Sequence, residues 1–103
     1  MIAQRYGYNV YKEIQFEYDD AKSEINLEKH GIDFDEAQEI WEGFHIRAAA
    51  KKKGEKRFAV VGVARGMHWT AFATYRGFVV RIISVRRSTE KEVAEYERHK
   101  ARR

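Results

Sequence analysis

"EKRFAVVGVARGMHWTAFATYRGFVVRIISVRR", residues 55–87, decides the fold. Apolar and aromatic side chains crowd it in short runs, and Arg-Gly interrupts it at 65–66 and 76–77. Runs of this kind, bounded by turn residues, read as strands over 57–64, 68–75 and 78–85. Upstream, 45–50 is a fourth strand, joined through "KKKGE". Consecutive strands with such short connections must run antiparallel. The last strand raises a question. It ends "RIISVRR", with Arg81, Arg86 and Arg87 as fixed positive charge on an otherwise interior-like segment. Regular alternation puts Arg81 and Arg87 on one face and Arg86 on the other, unless a bulge or the turn into the next element intervenes.

Outward from this block the period changes. Ile14, Phe16 and Tyr18 alternate, so 13–18 is a half-buried strand. Asp19 or Asp20 then caps a helix with Ala21 and Ile25 four apart, and Lys29, His30 and Gly31 form its stop. Asp33 and Glu36 make a capping box for a second helix, with Phe34, Ala37, Ile40, Trp41 and Phe44 tracing its stripe and Gly43 able to end it. Thr89 and Glu92 cap a C-terminal helix presenting Val93 and Tyr96. The expected fold is α+β: a twisted antiparallel sheet of four to five strands with helices packed on one face. The other face is left partly open. Residues 1–12 read as an N-terminal extension, and 13–103 as one domain.

Composition narrows the function classes. There is no cysteine, which excludes disulfides and thiolate metal sites and suits a reducing compartment. No run of apolar residues is long enough to cross a membrane, and no secretory leader is recognisable, so a cytoplasmic protein is expected. The net charge of +4 hides an asymmetry: residues 13–43 carry −9 and residues 44–103 carry +11. Such a field suits an anionic partner on one side, unless the two halves neutralise each other across the fold.

The sequence also resembles a known family. "FEYDDAKSEINLEKHGIDFDEAQEIWEG" is similar to the N-terminal half of the BrnT toxins, with Asn26-Leu27 and Lys29-His30-Gly31 matching its motifs. "EKRFAVVGVA" resembles the family's arginine-containing central strand, and "RGFVVRIISVRRSTEKEVAEYE" its C-terminal pattern. Val85 and Ser88 stand where the family usually has alanine, and Val93 where an arginine often follows. The resemblance implies a RelE-like fold and an endoribonuclease toxin of a type II toxin–antitoxin module. It implies neutralisation by a BrnA-like ribbon-helix-helix antitoxin, with operator DNA bound only through the complex. No cofactor is expected.

The residues suit that chemistry. RNA can be cut by attack of its own 2′-oxygen on phosphorus, if the enzyme orients the attack, moves protons and stabilises charge on the phosphate. Arginine meets phosphate with a planar, permanently charged fork. Arg81, with Arg86 or Arg87, is the candidate for the phosphate, and Arg57, Arg76, Lys51, Lys52 and Lys53 for flanking RNA. Each arginine could instead pair with the acidic helices. Tyr96 and His30 are candidates for proton transfer. Tyr96 also reads as core by its spacing from Val93, and His30 as a charge on a helix C-terminus. No metal-ligand spacing is present. A non-catalytic nucleic-acid-binding domain, or an interaction module with a basic face, would share the charge pattern.

Overall fold

The computed structural model describes residues 14–52 and 54–102, with the side chains of Lys51, Lys52 and Glu55 left aside. The expected extension over residues 1–12 and the side chains of Lys51, Lys52 and Lys53 therefore lie outside the described residues. In chain order the elements are β1 (Gln15–Glu17), α1 (Asp20–His30), a 3-10 helix (Glu36–Trp41), β2 (His45–Lys52), β3 (Glu55–Ala64), β4 (Met67–Arg76), β5 (Val79–Arg87) and α2 (Glu90–Ala101). They form one five-stranded sheet in the order β1-β5-β4-β3-β2.

The α+β class and the antiparallel run β2 to β5 are as expected. The turn at 65–66 holds Arg65 at φ 55° and Gly66 at φ 75°, the paired positive angles of the hairpin turn whose twist matches its strands. One pairing differs from expectation. β1 joins β5 in parallel, with Phe16 opposite Val80 and Glu17 opposite Arg81. The hairpin argument binds only consecutive strands. β1 reaches the far edge of the sheet and is free of it.

Register and alternation divide the side chains between two faces. Phe16, Val60, Ala71, Ala73, Val80, Ile82 and Val85 point into the main core, together with Ile32, Phe34, Ala37, Ile40 and Trp41 from the N-terminal layer. Both tryptophans are buried there with their indole N–H groups satisfied, Trp41 by the Tyr75 hydroxyl and Trp69 by the Ala64 carbonyl, each at 2.8 Å.

The caps read from sequence are present. Asp19 accepts from the Lys22 N–H, and Gly31 closes α1 at φ 84°. Asp33 and Glu36 bond reciprocally at 2.7 and 3.0 Å. Yet that box opens a 3-10 helix rather than an α-helix. Phe44 also leaves the expected stripe and packs at 5.3 Å from Tyr96 on the other side of the sheet. α1 departs from its apolar expectation too. Ile25 is 53% exposed, and the buried positions are Ser23 and Asn26. Their side chains bond backbone: Ser23 accepts from Phe34 N–H, and Asn26 donates to Ile32 O and accepts from Val85 N–H.

The helices were expected on one face. α1 and the 3-10 helix do share the core face, but α2 lies over one end of the opposite face. There Thr70 bonds Glu92, and Tyr96 packs against Phe44 and His68. The physical reason is space. The core face is already filled by Phe34, Ile40 and Trp41, whereas Val61 and Phe44 offer the α2 stripe a second apolar patch.

Candidate nucleic-acid interface

Among the described residues α2 covers only part of its face, and the remainder is open and arginine-bearing. Thr74 stands opposite Arg81, Phe72 opposite Ser84, Thr70 opposite Arg86, and Arg76 opposite Val79. Cross-strand partners share a face, so Arg76, Arg81 and Arg86 project together. Arg57 joins them, because its β3 neighbour Phe58 packs against the core. Small side chains lie between: Ala59 on β3 and Ser84 on β5.

The grouping depends on a bulge. Phe72 pairs with Ser84 and Ala73 with Ile82, so Ile83 is an extra residue in β5. Its insertion changes the phase of the strand. Without it Ser84 and Arg86 would face the core and Val85 the solvent. With it, Val80, Ile82 and Val85 are all buried, and Arg86 turns to the side of Arg81. Arg87 goes to the core side, its guanidinium 5.5 Å from the Trp69 ring centre.

The two central arginines are held differently. Arg81 meets Glu17 across the parallel pair at 3.3 Å, and both side chains are about half exposed. Such a pair contributes about 0–1 kcal/mol and leaves Arg81 ready to exchange partners. Arg86 is gripped harder. Its two terminal nitrogens meet both oxygens of Glu92 at 2.8 and 2.9 Å, and its guanidinium lies 5.3 Å from the Phe72 ring centre. Glu92 also accepts from Thr70 Oγ1 and from the Thr89 N–H. Arg86 first, with these bonds, holds the Glu92 carboxyl down at about 2, while Glu92 raises the Arg86 value.

The other candidates are not gathered here. His30 is exposed at the end of α1, in the layer on the opposite face. Tyr96 is 2% exposed, wedged under α2 with His68 at 4.9 Å and the Lys100 ammonium 5.8 Å from its ring. His68, which carried no sequence signal, bonds Glu97 at 3.1 Å. The grip of Glu92 on Arg86 also escaped the sequence, where Thr89 and Glu92 signalled only a helix start. Among the described residues, no three His, Asp or Glu side chains converge as a metal site. No described helix is long and apolar enough to cross a membrane. A cleft of about 490 Å³ lies beside β1, lined by Ile14, Phe16, Gln38, Trp41 and Glu42. Its lining is apolar, amide and acidic, and holds no lysine or arginine.

An open sheet face carrying clustered arginines, beside a capped helix that holds one of them, has the charge to attract an anionic polymer. No curated protein matches the sequence. A family model described as "Ribonuclease toxin, BrnT, of type II toxin-antitoxin system" matches residues 18–92, a span that includes β2 to β5, the caps at Asp19, Asp33–Glu36 and Thr89–Glu92, and Arg57, Arg76, Arg81 and Arg86 of the open face. The chain therefore belongs to the BrnT family, the ribonuclease toxins of type II toxin–antitoxin systems.

Proposed function

We propose that this toxin cleaves RNA on the open sheet face, without a metal ion. Arg81 and Arg86 take the phosphate at the cleaved bond, and Arg57, Arg76 and the lysines at 51–53 take flanking backbone. The observation that carries this reading is the bulge at Ile83, which brings Arg86 onto the face of Arg81. Two guanidinium forks there can stabilise the extra charge that develops as the 2′-oxygen attacks. Arg87 and His30 take structural parts in this account, over Trp69 and at the end of α1. Tyr96 reaches the RNA only if α2 shifts.

The antitoxin, in this reading a BrnA-like ribbon-helix-helix protein, covers the same face with an acidic segment. Operator DNA is bound through that complex. The toxin acts in the cytoplasm as one RelE-like domain over 13–103, with 1–12 as an extension. One observation favours a binding-only alternative: the Arg86 fork is already occupied by Glu92. Incubating purified toxin with RNA and a chelator separates the two. Cleavage supports the proposal, and RNA retained uncut supports the alternative.

A further inference from the structure

Asn26 lies in α1, in the layer opposite the arginines, and is 6% exposed. Both ends of its amide are engaged with backbone. Nδ2 donates to the Ile32 carbonyl at 2.8 Å, and Oδ1 accepts from the Val85 N–H at 3.1 Å. Val85 is the first core-facing residue after the bulge. It also lies beyond the reach of β1, whose pairing with β5 stops at Glu17–Arg81. From there on α1 flanks β5, and Asn26 is its described hydrogen bond to that strand.

We propose that Asn26 is a positioning residue of the RNA-cleaving face. It holds β5 in the bulged register that turns Arg86 toward Arg81. A strand can relax a bulge by slipping one residue, and the slip exchanges its faces. Two features of the chain oppose that slip. Burial of Val85 is one. The other is the Asn26 bond, which satisfies a backbone donor in the bulged register and would leave it buried without a partner after the slip. The same amide ties the β5 backbone to Ile32, itself fully buried in the core. Asn26 touches no substrate in this account; it acts through Arg86. The inference rests on the reading of Arg86 given above.

The test is a double-mutant cycle in the full chain, with Asn26→Ala, Arg86→Ala and the pair, reading single-turnover RNA cleavage and the urea midpoint of each. Asn26→Ala should lower cleavage about 10-fold or more under conditions where the variant is fully folded. In the Arg86→Ala background the same change should lower cleavage less than about twofold, while the midpoint falls equally in both backgrounds. Equal cleavage losses in both backgrounds, or no loss at all, would overturn the inference. Full activity in folded Arg86→Ala would sink the assignment of the face instead. Should Asn26→Ala not fold, amide exchange in the unaltered toxin decides. The Val85 N–H should exchange only through global unfolding, and fast local exchange there would refute the clamp.

Discussion

Glu92 takes hydrogen bonds from Arg86, Thr70 and the Thr89 backbone at once, and this makes its charge part of the fold. Its carboxyl, held at about 2 against an ordinary 4.5, binds protons less readily than in the unfolded chain. The stabilisation is therefore complete above about pH 4.5 and is lost as pH falls from there toward 2. After allowance for solvent it amounts to about 1–2 kcal/mol. Urea melts between pH 6 and 2 should show Glu92→Gln already weakened at pH 6 and converging with the unaltered toxin in acid. Parallel pH curves would contradict this. Arg86 and Arg87, adjacent in sequence, should separate in activity. Arg86→Ala should lower cleavage by about 100-fold, as loss of a preorganised donor does, and Arg87→Ala by only about threefold, because it lies over Trp69. Equal losses would place both on the RNA. That arginines cluster on the last strand was legible in the sequence, and their charged fork made them the candidates for phosphate. Which arginine faces which way was not, because one extra residue in a strand reverses the answer.

The elements were legible where period and punctuation agree. Arg65-Gly66 and Arg76-Gly77 mark the turns of β3–β5, and Gly31 the end of α1. What the sequence hid lies in long-range contacts. The 3-10 helix presses onto β3 so closely that a Cβ built on Gly62 would sit 2.8 Å from Ile40 Cγ2 and 2.9 Å from the Ile40 carbonyl oxygen. A capping box marks where such a segment starts but not how tightly it winds. Gly62→Ala should therefore lower stability by about 1–3 kcal/mol by overpacking, since a backbone oxygen cannot step aside as a side chain can. The urea midpoint should fall with an unchanged slope. An unaltered midpoint would mean that the layer yields. The parallel pairing of β1 was hidden for a related reason: alternation in Ile14, Phe16 and Tyr18 identifies a strand but not its neighbour.

At the scale of the molecule the opposed charges become two sides of a sheet. α1 and the 3-10 helix, from the acidic part of the chain, form the layer over the core face, and Arg57, Arg76, Arg81 and Arg86 stand on the other, while Arg47 and Arg87 lie on the core side. Ion pairs such as Arg65–Glu36 and Arg81–Glu17 stitch the halves together at the periphery, yet the arginine face stays open. An acidic antitoxin segment that covers it should associate more slowly as salt rises, and Arg→Glu changes on this face should lower the on-rate further. An antitoxin seated on the acidic layer alone, leaving cleavage intact, would refute that placement. We assign RNA cleavage to this face and its arginines. The direct test is single-turnover cleavage of RNA by purified toxin in chelator, with Arg81→Ala measured beside it and a urea melt of each. The unaltered chain should cleave, and Arg81→Ala should lose about 100–1000-fold, with the melt moved by only about 0.5 kcal/mol. Lysine at position 81 should recover little of the loss, since it keeps the charge without the fork. Undiminished cleavage by a normally folded Arg81→Ala would contradict this assignment.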